Sequence, residues 1–437
     1  MNIVLDVNSG AVHLLDDMAA VVMRAFIDHR GDIEAVFKAT EGCGTHAEVE
    51  DILEEFEQAF TAQALFTDDD FPRIDLSAMY IKALCLNVAH ACNMKCGYCF
   101  AAQGDFGLTP SLMDIQTAQQ AVEFLLEKSG PVRHLEIDFF GGEPLLVKEM
   151  LQELVDYCRQ REKETGKHFN FTLTTNALYL DEEMMAWIIK HDISIILSLD
   201  GRQKVHDQHR LLRDGQGSYD LVLPRIKAMV DKDPISYFVR GTFTRHNLDF
   251  SKDLQHMIDL GFDYISLEPA VGPDNGYSIL PEDLPVVLAE YDRVTDLLLA
   301  RYEQGREVFF FHYNLDLQKG PCLAKRSTGC GAGVEYLVIT PQGDIYPCHQ
   351  FVGQEEFYMG SIKNGELNGR IRSRFENNQV RDKECARCWA RNFCGGGCHA
   401  NAYFSNHDMS RPHETSCMMH KKRLEGAIYL ELKKKLK

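Results

Sequence analysis

"CLNVAHACNMKCGYCFA", residues 85–101, runs from an apolar strand candidate into three cysteines, Cys92, Cys96 and Cys99, within eight residues. Three is an awkward number. A structural zinc site takes four ligands, and disulfides take cysteines in pairs. Either a further ligand such as His90 completes the set, or one coordination position is left open. The triplet directly follows the first of six strand candidates, and parallel α/β folds bind their ligands at the carboxyl ends of strands.

Those candidates are "YIKALCLNVA", "HLEIDFF", "FNFTLTT", "ISIILSLD", "SYFVRGTFT" and "DYISLEPA". Helical stretches such as "DIQTAQQAVEFLLEK" and "KEMLQELVDYCRQREKE" separate them. Repeated β-to-α steps predict an α/β fold with a parallel sheet, either open and doubly wound or a partial barrel. Several candidates end in "GGEP", "TTN", "LDG" or "LEPA", polar or glycine-bearing segments suited to a site.

At 437 residues the chain exceeds one ordinary core, which predicts two or three domains. Its 45% hydrophobic and 25% charged content is that of a soluble globular protein. A net charge of −19 argues against nucleic acid and against an anionic membrane surface as partners. There is no secretory signal pattern and no apolar run near the ~20 residues of a membrane span, so a cytoplasmic location is expected. The basic tail "KKRLEGAIYLELKKKLK" reads as a solvated terminal helix.

Fourteen cysteines in a reducing compartment call for metal or cluster ligation rather than a disulfide framework. Eleven fall in two groups that divide the chain into residues 1–70, 79–310 and 320–437. The second group holds Cys330 and Cys348, spaced C-x12-G-x4-C around Gly343. It also holds Cys385, Cys388, Cys394 and Cys398 in C-x2-C-x5-C-x3-C, then Cys417, with Cys322 upstream. Eight thiolates suit two zinc sites or two iron–sulfur clusters equally on spacing alone. Cys43, Cys85 and Cys158 lie outside these patterns and read as buried apolar residues.

CxxxCxxC, with Tyr98 before its last cysteine, resembles the signature of radical S-adenosylmethionine (SAM) enzymes. Gly141, Gly142, Glu143 and Pro144, closing the second strand candidate, resemble the motif by which that family meets the SAM methionine group. The resemblance implies a partial (β/α)6 barrel and a [4Fe–4S] cluster on Cys92, Cys96 and Cys99, whose open iron is chelated by SAM. Ser198, Asp200 and Arg210 resemble the family's segment near the SAM carboxylate and ribose, and Glu268 is similarly placed on the sixth strand. The second cysteine group resembles the SPASM extension. By that likeness Cys385, Cys388, Cys394 and Cys417 hold a distal auxiliary cluster, and Cys330, Cys348 and Cys398 a nearer one. Three [4Fe–4S] clusters in all are implied, and whether Cys322 fills the nearer one decides whether an iron stays open to a substrate thiolate.

Residues 1–70 read as a hairpin turning at Asn8-Ser9-Gly10, then helices marked by Val22 and Phe26 and by Ile52, Phe56 and Phe60. They resemble the RiPP recognition element, a PqqD-like winged-helix module that binds leader peptides by strand addition. An acidic face in "HAEVEDILEEFE" disfavours DNA for such a module. Together with "DFFGGEPLL", "LSLDGRQKVHDQHR", "VRGTFTRHNLDFSKD" and "CLAKRSTGCGAG", the opening stretch looks like the maturases of six-cysteine SCIFF peptides. That likeness implies a sulfur-to-α-carbon thioether, with threonine as acceptor, in a precursor peptide whose leader the N-terminal module binds. It also implies an external electron donor of flavodoxin or ferredoxin type. Another peptide modification, such as carbon–carbon crosslinking or residue oxidation, stands as the alternative, and a zinc-containing peptide-binding protein as the remote one.

Overall fold

The computed structural model describes residues 1–69, 73–272, 276–317 and 327–436. Six parallel strands form its centre: Ala83–His90, His134–Gly141, His168–Thr175, Ser194–Ser198, Tyr237–Phe243 and Tyr264–Pro269. They correspond to the six sequence candidates and lie side by side in chain order. The sheet stays open: Phe309–Phe310 pairs with the sixth strand, and the first pairs on its far side with Tyr336–Ile339. This is the incomplete (β/α)6 barrel.

Strand alternation explains how the barrel is filled. In the third strand Phe169, Phe171 and Leu173 are buried in the apolar core, while the residues between them are polar. The interleaved register brings Phe140, Thr174, Ser198, Arg240, Thr242 and Glu268 to one cavity at the carboxyl ends.

The C-terminal part continues the barrel's own sheet. Tyr336–Ile339 runs parallel to the first strand, with Leu86 opposite Ile339, then turns back into Asp344–Tyr346. Apolar residues from Leu76 to Leu430 pack into one core. The tail differs from its sequence reading. Glu414–Lys435 is a helix packed on the helix Leu284–Glu303, burying Met419, Leu424, Ala427, Ile428 and Leu430. Gly426 permits this contact, since a Cβ there would sit 2.4 Å from Thr295 Oγ1 and 2.6 Å from Tyr313 Oη. Among the described residues no helix is long and apolar enough to cross a membrane.

The N-terminal module has a core of its own, built from Val22, Met23, Val36, Val49, Phe56 and Leu65. Strands β1 (Asn2–Leu5) and β2 (Val12–Leu15) form an antiparallel hairpin, followed by α1 (Asp17–Asp28), α2 (Ile33–Ala39) and α3 (His46–Thr61). Asp16, Asp32 and Thr45 cap the three helices, the last through a reciprocal box with Glu48. Phe60, expected on the buried stripe, is 57% exposed, because the packed face of α3 runs through Phe56 and Ala59. Cys43, expected to be buried, is exposed in the connection between α2 and α3.

Candidate active site

The cysteine triplet leaves the first strand on a loop held from several sides. Met94–Cys96 pairs antiparallel with Arg210–Leu212, and the Gly97 N–H donates to the His209 carbonyl at 2.9 Å. The Arg213 guanidinium donates to the Cys92 carbonyl at 2.7 and 2.9 Å. Gly141 and Gly142 are there for want of side chains: a Cβ would fall 2.5 Å from the Ala89 oxygen and 2.0 Å from the Ala91 oxygen. Only glycine lets the end of the second strand meet the chain entering the triplet so closely. Buried Glu143 then ties the end of the second strand to that of the third, accepting from Leu145 N (3.0 Å), Thr175 Oγ1 (2.8 Å) and Asn176 N (2.9 Å).

Behind the loop lies a buried polar hub. Asp200 accepts from Tyr98 Oη at 2.6 Å, Arg210 Nε at 3.0 Å and Thr242 N at 3.0 Å. Burial pushes the Tyr98 phenol well above its ordinary value, so it stays a donor. Asp200 is fully buried and does not line the cavity, whereas Tyr98, Ser198, Arg210 and Glu268 do. Its observed contacts make it a positioning residue. Pro144 is likewise buried away from the cavity, opening the short helix that follows Glu143.

One cavity of about 760 Å3 is walled by Cys92, Cys96 and Cys99 and also by Cys330, Cys394, Cys398 and Cys417. Cys348, Cys385 and Cys388 do not line it, and Cys322 lies outside the described residues. Burial raises the Cys348 thiol, and its electrostatic neighbours are Cys398 and Cys330. Burial pushes Cys417 up to about 12, with Cys394, Cys385 and Cys388 as neighbours. The described cysteines of the second group thus divide into a set of three and a set of four. Phe100, beside Cys99, and Phe140 both pack on the ring of His349, beside Cys348, with centroids 5.1 and 5.0 Å away. These rings join the triplet to the second group.

Of the charged wall between the two groups, sequence reasoning named Glu268 but missed its partners. The Glu268 carboxylate faces Arg240 Nη2 at 3.5 Å and His312 Nε2 at 3.3 Å. Arg423, on the C-terminal helix, donates to His312 Nδ1 at 2.9 Å and to His420 Nδ1 at 3.2 Å. Its donation leaves the N–H of His312 on Nε2, facing Glu268. Burial pushes the Glu268 carboxyl up, but His312, Arg240 and Arg423 outweigh it and hold it well below the usual range. Arg240 could have been found from sequence, as a charged residue in the cavity-facing register of a strand. His312 and Arg423 carry no such signal.

The residues fit iron–sulfur clusters and SAM on three structural grounds. Burial pushes Cys92 and Cys96 to about 11 and 12, so these thiols ionise at neutral pH only against a cationic centre. A glycine cradle lies beside the triplet, and the cavity is large enough for a small-molecule cofactor.

Residues 86–267 match the radical SAM superfamily, and residues 330–389 match SPASM, an iron–sulfur cluster-binding domain. The chain thus carries a radical SAM region followed by a C-terminal SPASM region. It is 22% identical over 337 residues to a cysteine-type anaerobic sulfatase-maturating enzyme of Clostridium novyi, covering 71% of this chain and 85% of that one. The fold matches that of anSMEcpe with bound AdoMet, with a TM-score of 0.66 at 19% identity over 79% of this chain and 97% of the other. It also matches Streptococcus suis SuiB bound to the precursor peptide SuiA, with a TM-score of 0.53 at 14% identity over 94% of both chains.

Proposed function

We propose that the protein is a peptide maturase that forms a sulfur-to-α-carbon thioether, with threonine as acceptor, in a ribosomally made precursor peptide. The observation that carries this reading is the single cavity onto which both cysteine groups open. Cys92, Cys96 and Cys99 would hold the SAM-binding [4Fe–4S] cluster, Cys330, Cys348 and Cys398 the nearer auxiliary cluster, and Cys385, Cys388, Cys394 and Cys417 the distal one. When bound, SAM at the first of these supplies the hydrogen-abstracting radical. The chain supplies position and shelter. Gly141 and Gly142 allow close approach, Ser198 and Arg210 face the cofactor's side of the cavity, and Phe100, Phe140 and His349 keep water from the space between the groups. Cys322 decides whether the nearer cluster is full, or keeps an iron for the donor thiolate.

The N-terminal module is read as the leader-binding site, and the SuiB–SuiA structure supports a precursor peptide as the substrate class. An external flavodoxin- or ferredoxin-type protein would supply electrons. The sulfatase-maturating relative favours one second reading, oxidation of a single residue without crosslinking. Mass spectrometry after thiol alkylation separates the two. Thioether formation gives a product two hydrogens lighter with one alkylatable thiol lost per crosslink. The same mass loss with every thiol still free would favour oxidation of a residue other than cysteine.

A further inference from the structure

The loop that carries three of the four distal-set cysteines is gripped from outside by the N-terminal module. Arg391, between Cys388 and Cys394, is 6% exposed. Its guanidinium reaches inward to the Ala386 carbonyl, inside the Cys385–Cys388 turn, and outward to the Asn8 side-chain oxygen. It also meets both Asp69 carboxylate oxygens, at 2.7 and 3.3 Å. Beside it, buried Asn392 donates from Nδ2 to the Val7 carbonyl at 2.6 Å.

The outer half of this grip is braced before it touches the cysteine loop. The Asp6 carboxylate accepts from Ser9 N (2.9 Å), Ser9 Oγ (2.8 Å) and Thr67 N (3.1 Å), and Asn8 Nδ2 donates to the Thr67 carbonyl at 2.8 Å. The hairpin turn and the chain leaving the module are therefore one unit. The inner half is not stiff. Gly395, Gly396 and Gly397 all take left-handed φ angles, of 70°, 88° and 78°, so the backbone between Cys394 and Cys398 has little rigidity of its own. A buried guanidinium bonded to both halves transmits the shape of one to the other, and its charge is costly to bury without a carboxylate such as that of Asp69.

We propose that Asn8, Asp69 and Arg391 form a clamp that holds the Cys385–Cys394 loop in its ligating shape, making the N-terminal module a structural part of the distal cluster site. This rests on the assignment of Cys385, Cys388, Cys394 and Cys417 to that cluster. The clamp limits how easily the loop opens, and hence how fast the distal cluster loses iron.

The test uses full-length, anaerobically reconstituted holoenzyme bearing Asn8→Ala, Asp69→Ala or Arg391→Met. Iron release to a chelator is followed by absorbance and assigned to individual clusters by the EPR of reduced samples. Asn8 and Asp69 lie outside the cysteine loop, so their variants keep the test decisive if the Arg391 variant fails to fold. The expected result is distal-cluster loss faster by on the order of tenfold, the factor that one hydrogen bond to a charged group is worth. The SAM-responsive cluster should lose iron at the parent rate. Unchanged release, or equal acceleration at all clusters, would overturn the clamp. Absence of a distal-cluster signal from the parent enzyme would overturn the cluster assignment beneath it, and the clamp with it.

Discussion

Replacing Gly142 by alanine probes the contact between the second strand and the cysteine triplet. The added Cβ would lie 2.0 Å from the Ala91 oxygen, 2.5 Å from its carbonyl carbon and 2.9 Å from the Gly104 Cα. Ordinary contact begins at 3.4 Å, so the backbone at Ala91 must retreat by about 1.4 Å or the strand end must tilt away. Overpacking of this kind costs about 1–3 kcal/mol, which a chain of this size survives. The larger effect is positional, because Ala91 is bonded to Cys92. A displacement of about 1 Å at a reacting centre costs on the order of 100-fold in rate. Gly142→Ala is therefore expected to fold, to bind iron, and to cleave SAM on the order of 100-fold more slowly than the parent in a 5′-deoxyadenosine assay with a chemical reductant. Gly369→Ala, where the added Cβ meets nothing within 4 Å, is the control and should match the parent. A Gly142→Ala enzyme with the parent's rate would refute the reasoning.

Further outcomes follow from the same geometry. Asp200→Ala leaves Arg210, 11% exposed, without its buried carboxylate, and should cost about 3–5 kcal/mol in a denaturant titration. Tyr98→Phe removes only one hydrogen bond to that carboxylate and should cost about 1.5–3 kcal/mol. Burial holds the imidazole of His206 at about 4, below its ordinary 6.5, and its Nδ1 faces the Asp200 N–H. A base with a depressed folded-state value contributes stability above pH 6.5 that is lost as pH falls toward 4. His206→Gln should therefore flatten the pH dependence of stability across that window. Replacing Cys92, Cys96 and Cys99 together by alanine should lower iron from about 12 to about 8 atoms per chain. Zinc in place of iron would contradict the cluster assignment.

What was legible in the sequence is what depends on local pattern. The six barrel strands could be read because their buried runs are short and end at glycine or polar residues, as "HLEIDFF" does at Gly141. The hairpin at Asn8-Ser9-Gly10 was visible for the same reason. Residues whose roles arise from distant partners were not. Asp200 is marked in the sequence only by family resemblance, and the partners that define its place, Tyr98 and Thr242, lie 102 and 42 positions away. Arg423 is one cation in a basic tail until that helix packs on Leu284–Glu303 and brings it to His312. The tail looked solvated because lysines crowd both ends of a short apolar stripe around Gly426, whose smallness is what admits the neighbouring helix. The parallel pairing of Tyr336–Ile339 with the first barrel strand bridges some 250 residues and has no local signature.

The central claim is that hydrogen is taken from the α-carbon of the acceptor residue in a peptide held in this cavity. A precursor peptide deuterated only at the α-carbon of its threonines tests it most directly, with the 5′-deoxyadenosine recovered after a single turnover. The reading predicts 5′-deoxyadenosine heavier by one mass unit and a crosslinked peptide that has lost its label at the acceptor. Unlabelled 5′-deoxyadenosine alongside a crosslinked peptide that keeps its α-deuterium would contradict it.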